Sequence, residues 1–231
     1  MTELHQRTLV GLAHPAASTS AAGLDSLHQV PVPLVPEIRL HLAADAIVLW
    51  ARMEAEARMT LAAPFWASAW LGGQALARFV LDHREMVAER RVLDLAAGSG
   101  LVGIAASLAG AATVTANDID PYAAAAIEMN AKANAVEIAV SDYNILHGDA
   151  DDGIDLVLAG DVFYSKPMTR AVLPFLERAA ARGAEVLVGD PGRADTPGGR
   201  LRVVATYSAA GAAEFSDAGI KQIHVLRLRT R

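Results

Sequence analysis

The chain has 231 residues, a formal net charge of −6 and 53% hydrophobic residues. That length favours one α/β domain with a small N-terminal addition, and the apolar share is enough for a sizeable core. The acidic balance argues against nucleic acid as the main partner and leaves a basic, lysine-bearing protein surface as a fitting one. No cysteine is present, which excludes disulfides, thiol catalysis and a zinc–thiolate site and fits a cytoplasmic location. The seven histidines are scattered without ligand spacing, so no metal is expected. No run of about 18 apolar residues calls for a membrane span.

Residues 1–30 are rich in Ala, Ser and His and lack the basic start and apolar centre of a secretory signal. They read as a loosely ordered tail, followed by an N-terminal extension over 31–85 that packs on a core over 86–231. Val30–Pro36 alternates proline with aliphatic residues and should be extended. Glu37–Leu42 reads as a strand and Ala43–Met59 as an amphipathic segment. Leu76, Phe79 and Val80 follow helical spacing, with Gly72-Gly73 expected to break the chain just before them. Alternation then sets in. Strands are expected near 92–95, 112–117, 136–140, 154–160 and 185–189, with helices over 101–108, 121–133 and 167–181. Two late strands, 203–208 and 222–228, come without a long crossover. The pattern predicts an α/β sheet of seven strands, mostly parallel, with helices on both faces and an antiparallel terminal hairpin.

In such sheets ligands sit beyond the carboxyl ends of the strands, at the switch in strand order. The first of these ends carries Gly98, Ser99 and Gly100, a tight turn where missing Cβ atoms let a ligand approach and where helix-start amides offer positive partial charge. Gly98, Gly100 and Gly103 satisfy G-x-G-x-x-G, a weak signal alone. Asp94, four residues before Gly98, would oppose a pyrophosphate and suits the ammonium end of a methionine moiety. As plain structure, Asp94 would be a cap beside a left-handed turn glycine. Asp118 lies about twenty residues past the turn, where an acid can take both ribose hydroxyls, while Asp120 suits the N-cap before Pro121. Asp142 can accept from an adenine amino group or be a bare loop acid. Gly160-Asp161-Val162-Phe163-Tyr164 forms the reacting end. Asp190-Pro191-Gly192-Arg193 places an acid and a base in a small turn, with a structural salt bridge from Arg193 as the alternative. Trp66 and Trp70, upstream of Gly72-Gly73, read as core or as a wall for cofactor or substrate.

Together these stretches carry a resemblance. Asp94–Gly100 resembles the first motif of class I S-adenosylmethionine (AdoMet) methyltransferases, and Asp161-x-x-Tyr164, the tryptophan segment and Asp190–Arg193 resemble the seven-strand protein-lysine methyltransferases. Within them the chain is similar to the branch that modifies the electron transfer flavoprotein β subunit. The resemblance spans roughly residues 31–208 and implies a Rossmann-like fold, AdoMet as cofactor and a lysine of the β subunit as methyl acceptor. It implies that Asp161 and Tyr164 hold the substrate amine, Asp118 the ribose, Asp142 the adenine and Trp70 the cofactor edge. Asp94, Gly98, Ser99, Gly100 and Gly160 join the cofactor set, and Trp66, Phe163 and Arg193 the substrate side. A methyltransferase for another protein (such as a ribosomal one) or for a small-molecule amine, a nicotinamide oxidoreductase and a non-catalytic binding module remain alternatives.

Overall fold

The computed structural model describes residues 13–14, 26–148, 153–208 and 222–229. Ala13–His14 (β1) lies parallel to Leu27–Val32 (β2), which pairs antiparallel with Val35–Ala43 (β3). Val30–Pro36 is therefore a hairpin and not one straight segment: the chain turns at Pro33-Leu34, and β2 starts at Leu27, inside the stretch expected as tail. The rest of that tail, residues 1–12 and 15–25, lies outside the described residues. Asp45 caps the next helix, α1 (Ala46–Ala57), by accepting from Ile47 N and Val48 N.

Helix α2 (Leu71–Asp82) leads into the main sheet. Its strands are β4 (Arg91–Leu95), β5 (Thr113–Asn117), β6 (Ala139–Ser141), β7 (Leu156–Gly160), β8 (Glu185–Asp190), β9 (Leu201–Ser208) and β10 (Gln222–Leu228). The helices between them are α3 (Leu101–Leu108), α4 (Pro121–Ala133) and α5 (Lys166–Ala181). The order across the sheet is β6-β5-β4-β7-β8-β10-β9. All pairings are parallel except those of β10 with β8 and β9. This is the seven-stranded, mostly parallel sheet with an antiparallel terminal pair that the alternation predicts.

Alternate strand residues point to opposite faces, and both faces are covered. Leu158, Leu187 and Val225 pack with Leu76, Phe79 and Val80 of α2 and with Leu101 and Ile104 of α3. Leu93, Val157 and Val186 pack on the other face with Val172, Phe175 and Leu176 of α5. The first cluster also takes in Val32, Val35, Ile38 and Leu40 of the hairpin, whereas Leu49 and Met53 of α1 pack with Trp66 against Ala123 and Ala126 of α4. Helix α2 runs through Gly72-Gly73 where a break was expected; a Cβ on Gly72 would overlap the Gly189 carbonyl oxygen, whereas one on Gly73 would make ordinary contact with Leu101 and Val102 at 3.9 Å.

Candidate active site

Strand order reverses between β4 and β7, which lie side by side with β5 and β6 beyond one and β8 beyond the other. The site is therefore built from the segments following β4, β5 and β7. Two non-glycine residues sit in the left-handed region there: Ala96 after β4 at φ 53 and Asp161 after β7 at φ 57. Such backbone is uncommon outside glycine and is tolerated best by Asp and Asn.

The glycine turn is held by the side chains of Asp118 and Asn130. Asp118 at the end of β5 accepts from Gly98 N at 2.8 Å and from Asp120 N at 3.0 Å. Asp120 in turn caps α4 through Tyr122 N at 2.9 Å. Asn130 of α4, fully buried, donates to Ser99 O at 2.9 Å and accepts from His41 N at 2.8 Å. It thus couples the turn to the hairpin. Asn134 continues the link, accepting from Arg39 N at 2.9 Å and donating to Arg39 O at 2.7 Å. Gly98 and Gly100 adopt φ +53 and +79. A Cβ on Gly100 would press on Ile127 of α4 at 3.2 Å, so a larger residue there would damage the fold before filling a ligand space.

Several expected site residues are placed differently. Asp94 is buried under α3 and accepts from Gly103 N at 2.7 Å. Its carboxylate anchors the helix from inside, as a cap would, instead of facing the open end of the sheet. Burial pushes its pKa up to about 7, opposed by the Gly103 N–H and assisted by the charge of Asp118. Gly160 makes room for α2, since a Cβ there would lie 2.8 Å from Gly73 Cα. Trp66 is 1% exposed and stacks on Tyr122, with ring centroids 6.4 Å apart, among Leu27, Leu49 and Met53. Phe163 is 0% exposed and lies in the core cluster under α5. Both are core residues, not walls of a substrate channel, because the turns carrying them direct their rings inward.

The open face is aromatic all the same. Trp70 is 38% exposed and donates through Nε1 to Phe65 O at 2.8 Å. The Phe65 ring lies 5.9 Å from Trp70 and 6.0 Å from Tyr164, which is 52% exposed. Partial burial and the charge of Asp118 raise the Tyr164 pKa, so the phenol and the ribose-candidate acid share one local field. Ile119 and Tyr143 are exposed beyond β5 and β6, beside the exposed Asp142. Phe65, Ile119 and Asn130 were not singled out from sequence. The available signal is Asn130 in the interior of α4, where asparagine is disfavoured unless its side chain has a partner.

Asp161 is 8% exposed and accepts from Gly73 N at 2.8 Å and from Arg193 Nη2 at 2.5 Å. Burial raises its pKa to about 6, against the opposing pull of the Arg193 charge and the Gly73 N–H. The salt-bridge alternative for Arg193 is the one that forms, and Asp161 is its partner.

A parallel sheet reversing at β4/β7, with a glycine turn on one side of the switch and an acid–aromatic turn on the other, is the layout of a class I methyltransferase. Solved structures of that fold are similar: a T. thermophilus 16S rRNA methyltransferase in complex with AdoMet and guanosine (TM-score 0.52, 16% identity, 71% of this chain and 44% of that one). A Synechocystis magnesium protoporphyrin IX methyltransferase with bound AdoMet matches at TM-score 0.50 and 13% identity, over 80% of this chain and 82% of that one. The family model described as lysine methyltransferase matches residues 45–196, and the chain belongs to that family. Among curated relatives, electron transfer flavoprotein beta subunit lysine methyltransferase of Xenopus laevis is 37% identical over 81% of this chain and 78% of its own length. The Danio rerio protein of the same name is 42% identical over 70% of this chain, and the match spans 62% of its length, less than two thirds. Family membership sets aside the nicotinamide oxidoreductase alternative.

Proposed function

We propose that the chain is an AdoMet-dependent protein-lysine methyltransferase acting on the electron transfer flavoprotein β subunit. The observation that carries the reading is the placement of Tyr164, beside Phe65 and Trp70 and within the field of Asp118, across the strand switch from the glycine turn. The names of the curated relatives support the substrate.

The side chains present suit the cofactor. Asp118, half-buried with its carboxylate already fixed by two amides, keeps lone pairs for ribose hydroxyls. Ile119, Tyr143 and Asp142 offer apolar faces and an acceptor for adenine. The Gly98–Ser99–Gly100 backbone and the edge of Trp70 would hold the methionine part. When bound, AdoMet would supply a methyl group activated on a sulfonium for displacement by the neutral amine, after the lysine ammonium has given up a proton to water. The protein's part is alignment. Tyr164 and Asp161 orient the lysine nitrogen, and Phe65 and Trp70 keep water from its approach. Asp94, Trp66, Phe163 and Gly160 act indirectly, by fixing the elements that carry these groups. A cytoplasmic location, which a cysteine-free chain fits, belongs to the same proposal.

Calorimetry with S-adenosylhomocysteine and with NAD tests the cofactor half: binding of the first alone is expected, and NAD binding alone would overturn it. Transfer of labelled methyl from AdoMet to purified β subunit tests the substrate half. Label appearing only on small amines would favour the small-molecule alternative.

A further inference from the structure

The Asp161 carboxylate is partnered before any substrate arrives: one oxygen takes Gly73 N, the other Arg193 Nη2. Arg193 is itself held. Asp190, fully buried at the end of β8, accepts through one oxygen from Gly192 N at 2.7 Å, Arg193 N at 2.8 Å and Thr196 Oγ1 at 2.8 Å. Three donors on one oxygen fix the turn and point the guanidinium back at Asp161. The groups around Asp161 are Arg193 and Asp190 from the β8 end, Tyr164 on its own turn with Asp118 acting on that phenol, and the Gly73 amide from α2.

A bare carboxylate would be a poor holder for this substrate. A lysine with a reference pKa of about 10.4 must lose its proton before its nitrogen can attack. An unpaired carboxylate within about 4–6 Å favours the ammonium by roughly 1–3 pKa units. One already paired with a guanidinium presents little net charge and still offers lone pairs.

We propose that Arg193 is a positioning residue that balances the charge of Asp161, letting the carboxylate orient the incoming lysine nitrogen without holding it as an ammonium. The proposal rests on the lysine methyltransferase reading above. The proton passes from the ammonium to water and the nitrogen keeps the lone pair. Arg193 stays protonated throughout and is no base. Without Arg193, the substrate ammonium takes the guanidinium's place and keeps its proton.

The test uses a β-subunit lysine peptide labelled with carbon-13 at Cε, bound to the full chain loaded with S-adenosylhomocysteine and titrated by NMR. In Arg193→Gln the bound lysine should titrate about one unit or more higher than in the wild type. The alkaline shift should appear equally in the pH profile of kcat, with about tenfold loss at neutral pH recovered on raising pH. Arg193→Lys should keep the wild-type limb. Thr196→Val, which loosens the turn and keeps the charge, should shift it less than Arg193→Gln and in the same direction. In an Asp161→Asn background the Arg193→Gln shift should vanish. A bound lysine with the same pKa in wild type and Arg193→Gln, or a rate loss equal at every pH, overturns the inference alone. A wild-type chain that binds no lysine peptide overturns the methyltransferase reading, and the inference with it.

Discussion

The first turn of α2 lies directly on the end of β8: a Cβ on Gly72 would overlap the Gly189 carbonyl oxygen and sit 2.6 Å from Asp161 Oδ2. The contact brings Gly73 N within reach of Asp161, so helix packing and site geometry depend on the same pair of glycines. Gly72→Ala should destabilise the chain by about 1–3 kcal/mol or more, since backbone must move to admit the methyl group. Thermal unfolding read by circular dichroism checks this; a midpoint unchanged within a degree would contradict the packing described.

Asn130 joins three elements through buried bonds to Ser99 O and His41 N. Asn130→Ala leaves both backbone groups without that partner, at roughly 1–3 kcal/mol for each group left unsatisfied. Binding of S-adenosylhomocysteine should weaken more than unfolding stability alone predicts, because the glycine turn loses its hold on α4. Urea unfolding and calorimetry on one preparation separate the two effects. Full affinity in a destabilised variant would disconnect Asn130 from the site.

The two tryptophans make a contrasting pair. Trp66→Ala empties a core site and should cost about 3–5 kcal/mol. Trp70→Ala, at a position 38% exposed, should leave the fold nearly unchanged and lower methyl transfer severalfold. Equal unfolding midpoints for the two variants would refute the burial difference.

Stability of the ligand-free chain should fall as pH rises from about 4 to about 7. Asp94 and Asp161 have folded pKa values near 7 and 6, above an unfolded value near 3.8. In that window the unfolded chain gives up protons that the folded chain keeps, so their contribution is complete below the unfolded value and lost through the folded ones. Asp94→Asn, which still accepts from Gly103 N, should flatten the slope. Urea midpoints at pH 5 and pH 8 decide it; a steeper slope in the variant would contradict the assignment.

The fold was legible because strand and helix periods alternate cleanly from Arg91 onward, and because Pro121 and Asp120 mark a helix start by local chemistry alone. The hairpin at Pro33-Leu34 was hidden, since prolines in β2 and β3 read as extended chain whichever way it turns. Site residues divided by depth. Asp118 and Tyr164 stand at strand ends where topology exposes them. Asp94, Trp66 and Phe163 occupy equally suggestive positions and point inward, because side-chain direction depends on backbone such as the left-handed Ala96 and Asp161. The mutual fit of Gly72, Gly73, Gly160 and Gly189 joins segments about ninety to a hundred and twenty residues apart and has no local signature.

The central claim is lysine methylation of the flavoprotein β subunit, and the mass of that subunit tests it most directly. The β subunit is purified from host cells with and without this gene, and the subunit from the deletion strain is incubated with the chain and AdoMet. Methyl increments are expected on a lysine-bearing peptide only where the chain is present, restored in vitro by wild type and, about tenfold or more slowly, by Asp161→Asn. An unmodified β subunit in both strains that also takes no methyl group in vitro would contradict it.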